Sequence, residues 1–345
     1  MANILKAYVD QGISTGGRKS PLSPVPRRSN MKSDSLFNWG HGIRMIDGYD
    51  LNVPGRTGIY VLEEEELTLV ETGPSLSVPR ILKGLEDLGH RPEDVRNVIV
   101  THIHLDHAGG VGLLLQSCPE ARVVVHPRGA RHLADPTRLI RGARMVYGEQ
   151  FDALFDPVLP IPEDRIQVRG DGETLAIGPD RQLKFLDSPG HAAHHFSIYD
   201  PVSRGLFTGD TSGVRYGQLE ELGCSLYLPS TSPNQFDPDA MKQSIDRFRK
   251  EEVDRIFFGH FGMSEEPERV YEQVTAELDV FMEAGEEAMA EGEGAVGIEK
   301  RLKDRYRRML ENQGIPENHP VYPILYLDLK VCSMGIEHYL TRKGK

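Results

Sequence analysis

The chain has 345 residues, of which 39% are hydrophobic and 27% are charged, so a largely disordered protein is excluded. No apolar run approaches the roughly 20 residues that a membrane-spanning helix needs, and we expect neither an integral membrane protein nor a membrane partner. The formal net charge of −12 repels phosphate backbones, which argues against general nucleic-acid binding.

The N-terminal segment differs in composition from the rest of the chain. Residues 1–30 contain five lysines or arginines but a single acid, Asp10, and three prolines that oppose regular structure. We therefore predict a disordered basic tail over residues 1–33, with a transit peptide as the alternative. The three cysteines of the chain are odd in number and far apart, so we predict no disulfide framework and a reducing, cytoplasmic location.

Strand and helix patterns alternate from about Phe37 onward, as expected for an α/β domain over residues 34–264. The acidic run Glu63–Glu66 predicts a hairpin tip between two strands. Helical spacing of apolar residues predicts helices over Ser77–Leu88 and Asp237–Lys250. Short apolar runs that stop at Gly, Pro or polar clusters predict strands at Gly58–Leu62, Leu67–Val70, Val98–Thr101, Arg122–His126, Leu183–Leu186, Gly205–Thr208 and Ile256–Phe258.

Beyond Met263 the pattern becomes helical. Apolar residues recur at helical intervals over Pro267–Ala288 and Gly297–Gln313. We predict that residues 265–345 form a helical extension packed on the main domain. Six basic residues between Lys300 and Arg308 lie on the second helix. They form either the solvated face of an amphipathic helix or a site for an anionic group such as coenzyme A.

Histidines give the strongest functional signal. The segment from Thr101 to His107 reads Thr-His-Ile-His-Leu-Asp-His and follows a predicted strand. Side chains two residues apart on an extended segment project to the same side, so His102 and His104 can share one metal ion. Asp106 and His107 follow where the chain turns toward a helix, and we expect them to face a second ion.

Three further predicted strands end in a residue that can bind a metal. These residues are His191, Asp210 and His260, and each directly follows a glycine. Four strands that end in this way predict one shared edge at which the ligands converge. Imidazole and carboxylate ligands suit Zn²⁺, Fe or Mn, whereas calcium prefers more oxygens.

The number of ligands predicts two ions. Each ion has three ligands of its own, and a seventh ligand lies between the two ions. The proposed sets are His102, His104 and His191 for one ion, Asp106, His107 and His260 for the other, and Asp210 between the two. Each ion then keeps a position for water, as in catalytic sites. Two ions about 3.5–4 Å apart can share a hydroxide that is nucleophilic at neutral pH. We therefore predict a metallo-hydrolase in which Asp106 and Asp210 also support catalysis.

These motifs, in this order, resemble the metallo-β-lactamase fold superfamily. The resemblance covers roughly Ile59 to Gly262. It implies an αββα sandwich with the metals at one edge between two sheets, and it gives the same seven residues the ligand roles described above. We expect two zinc ions, with iron or manganese as alternatives. The matching motifs are Val70-Glu71-Thr72-Gly73, Thr101–Gly110, Ser188–His195, Phe207–Asp210 and Phe258–Gly262.

Two positions depart from the family pattern. Glu71 stands where the family usually has Asp, and because Glu is longer by one methylene, its hydrogen bonds to the ligand loop must shift. The third motif often reads Gly-His-Thr-x-Gly-His in the glyoxalase II and lactonase-like branches. Here His194 replaces the second glycine of that motif, and His195 takes the place of its second histidine. His194 either faces the substrate cleft with a catalytic role or supports the fold.

Two tyrosines follow Asp210 in the segment that the resemblance places beside the metals. The hydroxyl of Tyr216 or of Tyr227 could stabilise a developing oxyanion. The alternative for each is an aromatic side chain packed in a loop.

The resemblance and the long helical extension imply a small-molecule substrate, namely a small ester, thioester or lactone. A phosphodiesterase and an iron-dependent oxidoreductase are the alternative enzymes on the same ligands, and a non-enzymatic sensor is a further one. A homo-oligomer is compatible with the sequence.

Overall fold

The computed structural model describes residues 36–344, over which the chain forms fifteen strands and ten α-helices. The predicted tail over residues 1–33 lies outside the described residues. The strands are β1 (Leu36–Gly40), β2 (Ile43–Asp47), β3 (Gly58–Leu62), β4 (Leu67–Val70), β5 (Val95–Ile99), β6 (Arg122–Val125), β7 (Ile166–Val168), β8 (Thr174–Ala176), β9 (Gln182–Asp187), β10 (Phe196–Asp200), β11 (Gly205–Gly209), β12 (Val214–Arg215), β13 (Tyr227–Leu228), β14 (Arg255–Phe258) and β15 (Met263–Ser264).

The α-helices are α1 (Val78–Asp87), α2 (Leu105–Ala108), α3 (Val111–Leu114), α4 (Ala130–Ala134), α5 (Thr137–Tyr147), α6 (Phe151–Phe155), α7 (Pro238–Phe248), α8 (Pro267–Ala290), α9 (Gly294–Asn312) and α10 (Val321–Lys343). Between residues 36 and 344, no helix has both the length and the apolar character that crossing a membrane requires.

Two sheets form the centre of the fold. The first has seven strands in the order β1-β2-β3-β4-β5-β6-β7, and the second has six in the order β15-β14-β11-β10-β9-β8. Strand β3 shows how the sheets stack. Its Tyr60 and Leu62 lie in the core between the two sheets, whereas Ile59 and Val61 lie in the core on the opposite face. This alternation is expected for a strand that is buried on both faces.

Helices cover the outer face of each sheet. Ile81 and Leu85 of α1 share a buried cluster with Val98 of the first sheet. On the outer face of the second sheet, Leu206 of β11 shares a cluster with Ile245 of α7. The predicted αββα sandwich is therefore confirmed.

The C-terminal helices enlarge the core behind the second sheet. Val270 of α8, Leu302 of α9 and Leu325 of α10 belong to the same buried cluster as Leu206. The sequence predicts a helical extension over residues 265–345 and gives α8 and α9 to within a few residues of their bounds, but it does not indicate the bounds of α10 within that extension. Buried side chains in α10 lie on several faces of the helix, as at Leu325 and Leu327, so the helix has no amphipathic stripe.

Four of the six basic residues between Lys300 and Arg308 on α9 lie beside acids. Nζ of Lys300 lies 3.2 Å from Asp304, and Nζ of Lys303 lies 2.5 Å from Glu299. Nη2 of Arg301 lies 2.5 Å from Glu291. The arrangement is that of an ion-paired helix surface, the first of the two interpretations of this cluster.

Strand direction explains why the ligand-bearing loops meet. β4 and β5 are parallel in the first sheet, and β11 and β14 are parallel in the second. β9 runs in the same direction as β11 because β10 is antiparallel to both. Within each sheet, the loops that follow these strands therefore leave the sheet at the same edge.

Candidate metal centre

The first ligand loop follows β5 and changes backbone conformation at His104. This residue is extended, with φ −64° and ψ 150°, and α2 begins at the next residue. His102 and His104 therefore project from the segment before the helix, whereas Asp106 and His107 lie on the short helix α2. The change from extended chain to helix lies where the sequence predicts it.

Seven side chains from four loops converge at this edge of the sandwich. They form three overlapping groups, and within each group the ligand atoms lie within 4.8 Å of one another: His102, His104 and His191; His102, His107 and Asp210; Asp106, His107 and His260. The first and third groups are the two predicted ligand triplets. The second group links them through Asp210.

Asp210 lies between the two triplets. Its Oδ1 is 3.1 Å from Nε2 of His107, and its Oδ2 is 3.4 Å from Nε2 of His260 and 3.5 Å from Nε2 of His191. Burial disfavours the charged carboxylate, but the three histidines outweigh burial and hold the pKa of Asp210 well below its usual value. Asp210 is therefore an anion at neutral pH that reaches both triplets.

The histidines of the first triplet are poised to donate lone pairs. The pKa of His102 and that of His104 lie well below the usual value, because both rings are buried and because other histidines surround them. Nδ1 of His191 donates to the Ser230 carbonyl over 2.9 Å, since a carbonyl can only accept. The Nε2 atom of His191 is thus left with its lone pair, 2.9 Å from Nδ1 of His104.

Unpaired buried atoms show that this cluster fits a cation. Nε2 of His102, both ring nitrogens of His107 and Oδ1 of Asp210 are buried and form no hydrogen bond with the described residues. Buried polar atoms without partners are rare in proteins unless a bound group satisfies them. Imidazole nitrogens together with carboxylate oxygens suit a divalent transition metal.

Glu71 anchors the first ligand loop from the end of β4. The residue is 1% exposed and has a φ of 70°. Its Oε1 accepts a hydrogen bond from the Thr101 hydroxyl and lies 3.7 Å from Nδ1 of His107. The Thr101 hydroxyl oxygen is 3.1 Å from Nδ1 of His102. One carboxylate therefore faces one ligand histidine and supports a second through Thr101.

The glycines that precede Asp210 and His260 lie where there is no room for a side chain. A Cβ atom on Gly209 would lie 2.4 Å from the Thr101 hydroxyl oxygen and 2.5 Å from Nε2 of His195. A Cβ atom on Gly259 would lie 2.7 Å from Cε1 of His107. A side chain at either position would displace a residue that forms or supports the ligand cluster.

We expect Gly259→Ala to weaken metal binding by about 10–100-fold, the range found when a group that orients a ligand is changed. The added methyl group would push against the His107 ring. Metal content after dialysis at a fixed free metal concentration measures the effect. Gly170→Ala is the matched control, because the nearest atom to its Cβ would be 3.5 Å away. Equal metal content in the two variants would contradict this role of Gly259.

A cavity of about 260 Å³ opens onto the ligand cluster. One wall is the half-exposed apolar side of α5, which contributes Leu139, Ala143 and Val146. The polar segment 230–235 forms another part of the lining, and α10 adds Asp328 and Cys332. The last helix of the predicted extension, α10, therefore helps to enclose the candidate site.

Arg56 and Asp328 form a buried ion pair in the lining of this cavity. Nη2 of Arg56 is 2.9 Å from Oδ1 of Asp328, and Nε of Arg56 is 3.3 Å from Oδ2 of Asp50. The side chains of Arg56 and Asp328 are 9% and 13% exposed. These two residues are 272 positions apart in the chain, so no local sequence pattern connects them.

The structure separates the two interpretations of His194 and of Tyr216. His194 lines the cavity and is 5% exposed. The Tyr216 hydroxyl donates to Oδ2 of Asp328 over 2.9 Å, and Tyr216 is not among the residues that line the cavity. The Tyr227 hydroxyl bonds to the Ser264 hydroxyl over 3.2 Å and does not line the cavity either. Both tyrosines are thus packed aromatic residues with a structural hydrogen bond.

His195 lies behind the ligands, in the supporting place that its motif implies. Its Nε2 accepts a hydrogen bond from the backbone N–H of Asp210 over 3.2 Å. Its Nδ1 lies 2.9 Å from the Ser188 hydroxyl oxygen. His195 therefore links the second ligand loop, which carries His191, to the start of the third, which carries Asp210.

The family model of the metallo-beta-lactamase superfamily matches residues 53–260, a range that contains all seven candidate ligands. The chain belongs to the metallo-β-lactamase superfamily. The resemblance that the sequence motifs carry is thereby confirmed. Members of this superfamily typically bind metal ions, usually zinc, and the residues in hand fit such ions.

One relative shares both sequence and fold with much of the chain. Protein ST1585 of Sulfurisphaera tokodaii, a metallo-beta-lactamase fold-containing protein, is 26% identical over 227 residues, which are 64% of this chain and 79% of that protein. Its crystal structure matches with a TM-score of 0.57 at 22% identity and covers 70% of this chain and 87% of that chain, which shows a common fold.

Two enzymes of the superfamily match a smaller share of the chain. A hydroxyacylglutathione hydrolase of Legionella pneumophila is 29% identical over 140 residues, which are 39% of this chain and 42% of that enzyme. An N-acyl homoserine lactonase of Bacillus thuringiensis is 28% identical over 198 residues, 56% of this chain and 66% of that enzyme. The chain thus spans less than half of the first enzyme and about two thirds of the second.

Proposed function

We propose that this chain is a metal-dependent hydrolase that cleaves a small ester, thioester or lactone with a pair of divalent metal ions, which we expect to be zinc. The observation that carries the proposal is the pair of ligand triplets joined by Asp210 beside a cavity of about 260 Å³. Relatives named as a hydroxyacylglutathione hydrolase and an N-acyl homoserine lactonase support the hydrolase class.

In this proposal each triplet would hold one cation, and Asp210 would be a ligand shared by the two sets. His102, His104 and His191 form one set, and Asp106, His107 and His260 form the other. When bound, such ions lower the pKa of a water molecule and polarise the carbonyl group of the substrate.

Neighbouring groups of the chain keep the ligands in position. Ser230 contacts two ligands, one through its backbone carbonyl and one through its side-chain hydroxyl. Its carbonyl accepts from Nδ1 of His191 over 2.9 Å, and its hydroxyl donates to Oδ2 of Asp210 over 2.9 Å. Because these contacts exist before any substrate binds, less ordering is needed when the reaction begins.

The cavity fits a small substrate with an apolar part. Leu139, Ala143 and Val146 offer a surface for a carbon chain along α5. On the metal side, the ring centroids of His194 and His104 are 5.4 Å apart. Burial and then the neighbouring His191 lower the pKa of His194 to about 3, so its imidazole is neutral at pH 7. We propose that His194 offers a hydrogen bond to the substrate beside the ligands.

We expect protein purified without added metal to contain about two equivalents of zinc per chain, as two-metal hydrolase sites do. Removal of the metal by a chelator should abolish hydrolysis of small thioesters or lactones, and added zinc should restore it. The same samples are assayed with bis-p-nitrophenyl phosphate and, with iron bound, for oxygen uptake in the presence of a thiol.

The substrate that the protein turns over distinguishes the hydrolase from the phosphodiesterase and the oxidoreductase. Turnover of the phosphodiester alone would favour the phosphodiesterase, and oxygen uptake alone would favour the oxidoreductase. Metal-loaded protein without turnover of any ester, thioester or lactone would contradict the proposed function.

A further inference from the structure

We infer that a second cavity beside the metal centre is a subsite for an anionic group of the substrate, a carboxylate or a phosphate. The inference rests on the proposed function, because it names the chemistry of the substrate for the same site. The second cavity has a volume of about 380 Å³ and brings together Arg128, Arg131, His132, Ala193, His194 and Gln235.

The second cavity adjoins the first. His194 and Gln235 line both of them. The Gln235 side chain is fixed because its Oε1 accepts from the backbone N–H of Ala193 over 2.9 Å, which leaves its amide nitrogen as a donor. One substrate molecule can therefore extend from the metal ligands past His194 into the second cavity.

The arginines of this cavity have no acidic partner in the described part of the chain. The acids of the neighbouring segments are engaged elsewhere. Asp135 accepts from the Thr137 hydroxyl over 2.6 Å, and Asp187 lies 3.2 Å from Nε2 of His126. In a chain with a net charge of −12, unpaired cations in a concave site create a local positive potential that attracts anions.

Each arginine is held on the cavity wall by a single nitrogen. Nη1 of Arg128 donates to the Ala193 carbonyl over 3.2 Å, and Nε of Arg131 donates to Nε2 of His132 over 3.2 Å. The remaining guanidinium N–H groups are available to a ligand. A guanidinium offers parallel donors that match the two oxygens of a carboxylate or a phosphate. Because Nε2 of His132 accepts, its Nδ1 carries the proton and adds a further donor.

This arrangement assigns the two ends of the substrate. The bond that is cleaved lies beside the metal ligands, and an anionic group lies on the far side of His194, near Arg128 and Arg131. Substrates with such a group are held at two points, whereas neutral esters of the same length are held at one.

Calorimetric titration of the zinc-loaded protein with glutarate and with glycerol 3-phosphate tests the subsite directly. We expect at least one of these anions to bind about tenfold more weakly to Arg131→Gln than to the wild type, because one charge-assisted hydrogen bond is lost. The anion that binds the wild type more tightly identifies the group as a carboxylate or a phosphate. Arg141→Gln is the control, since Arg141 is exposed on α5 and lines neither cavity.

Anions that bind only at the zinc ions would bind equally to the wild type, to Arg131→Gln and to Arg141→Gln. This result would overturn the inference. Arg128→Gln is a second variant on the other side of the cavity, and it should weaken binding in the same way. Equal zinc content and thermal midpoints in the four proteins show that the comparison concerns the subsite and not folding.

Kinetics separate this inference from the proposed function. The substrates are 4-nitrophenyl pentanoate and the mono-4-nitrophenyl ester of glutaric acid, which differ in the terminal carboxylate. If the titrations identify a carboxylate site, Arg131→Gln should lower the ratio of kcat/KM for the anionic to the neutral ester by about tenfold. An unchanged ratio would overturn the inference while the proposed function stands. If the protein hydrolysed neither ester and no thioester or lactone, the proposed function would be contradicted. The titrations alone would then decide whether the subsite exists.

Discussion

Asp210→Asn is expected to lower the affinity for both metal ions and to reduce kcat/KM by at least about a hundredfold, since even residues that only orient a ligand change activity by 10–100-fold. The reason is the position of Asp210, whose carboxylate lies within 3.5 Å of His107, His191 and His260. Asparagine keeps the shape of the side chain but removes the charge. Metal content after dialysis and steady-state kinetics on the same preparation measure both effects.

Asp106→Asn provides the comparison for this experiment. Asp106 belongs only to the third group, with Oδ2 3.7 Å from Nε2 of His107 and 3.7 Å from Nε2 of His260. This variant should lose one metal equivalent and keep the other. If Asp210→Asn lost the same single equivalent, or if the wild type bound only one ion, Asp210 would not lie between two ions as we propose.

Asp328→Ala is expected to destabilise the protein by about 3–5 kcal/mol, the usual effect of removing one partner of a buried ion pair. Arg56 would be left with Asp50 alone, at 3.3 Å, and the Tyr216 hydroxyl would lose its acceptor. The variant also loosens α10 from the cavity that it helps to form. Urea denaturation of the metal-free protein measures the free energy of unfolding without a contribution from bound ions.

The destabilisation by Asp328→Ala should be smaller in an Arg56→Met background than in the wild type, because the cation that Asp328 pairs with is then already absent. A double-mutant cycle of the wild type, Arg56→Met, Asp328→Ala and the double variant isolates the coupling of the two side chains. A single variant that unfolds at the same urea concentration as the wild type would show that the ion pair does not stabilise the fold.

The sequence predicts the ligand cluster well because its signals are local. Each candidate ligand lies at the end of a strand that its own apolar residues define, as at Phe258-Gly259-His260. The observed parallel strands bring these ends together. The reason for the glycines at positions 209 and 259 is visible only in three dimensions, since the clash involves Thr101, His195 and His107.

The parts of the site that the sequence does not predict depend on contacts between distant segments. Arg56 pairs with a residue 272 positions away, and α10 has no amphipathic pattern because it is buried on several faces. The Tyr216 hydroxyl is another example. Its place after Asp210 predicts a role beside the metals, but its partner is Asp328 of α10.

The origin of the ligands has a consequence for folding. His102 and His107 follow a strand of the first sheet, whereas His191, Asp210 and His260 follow strands of the second. A cation held by the proposed ligand sets would therefore join the two halves of the sandwich, and its binding free energy would add to the cohesion between them. At a free metal concentration of 100 times the dissociation constant, one such ion stabilises the native state by about 2.7 kcal/mol. Scarcity of metal in the surroundings of the protein would thus reduce its resistance to unfolding as well as its activity.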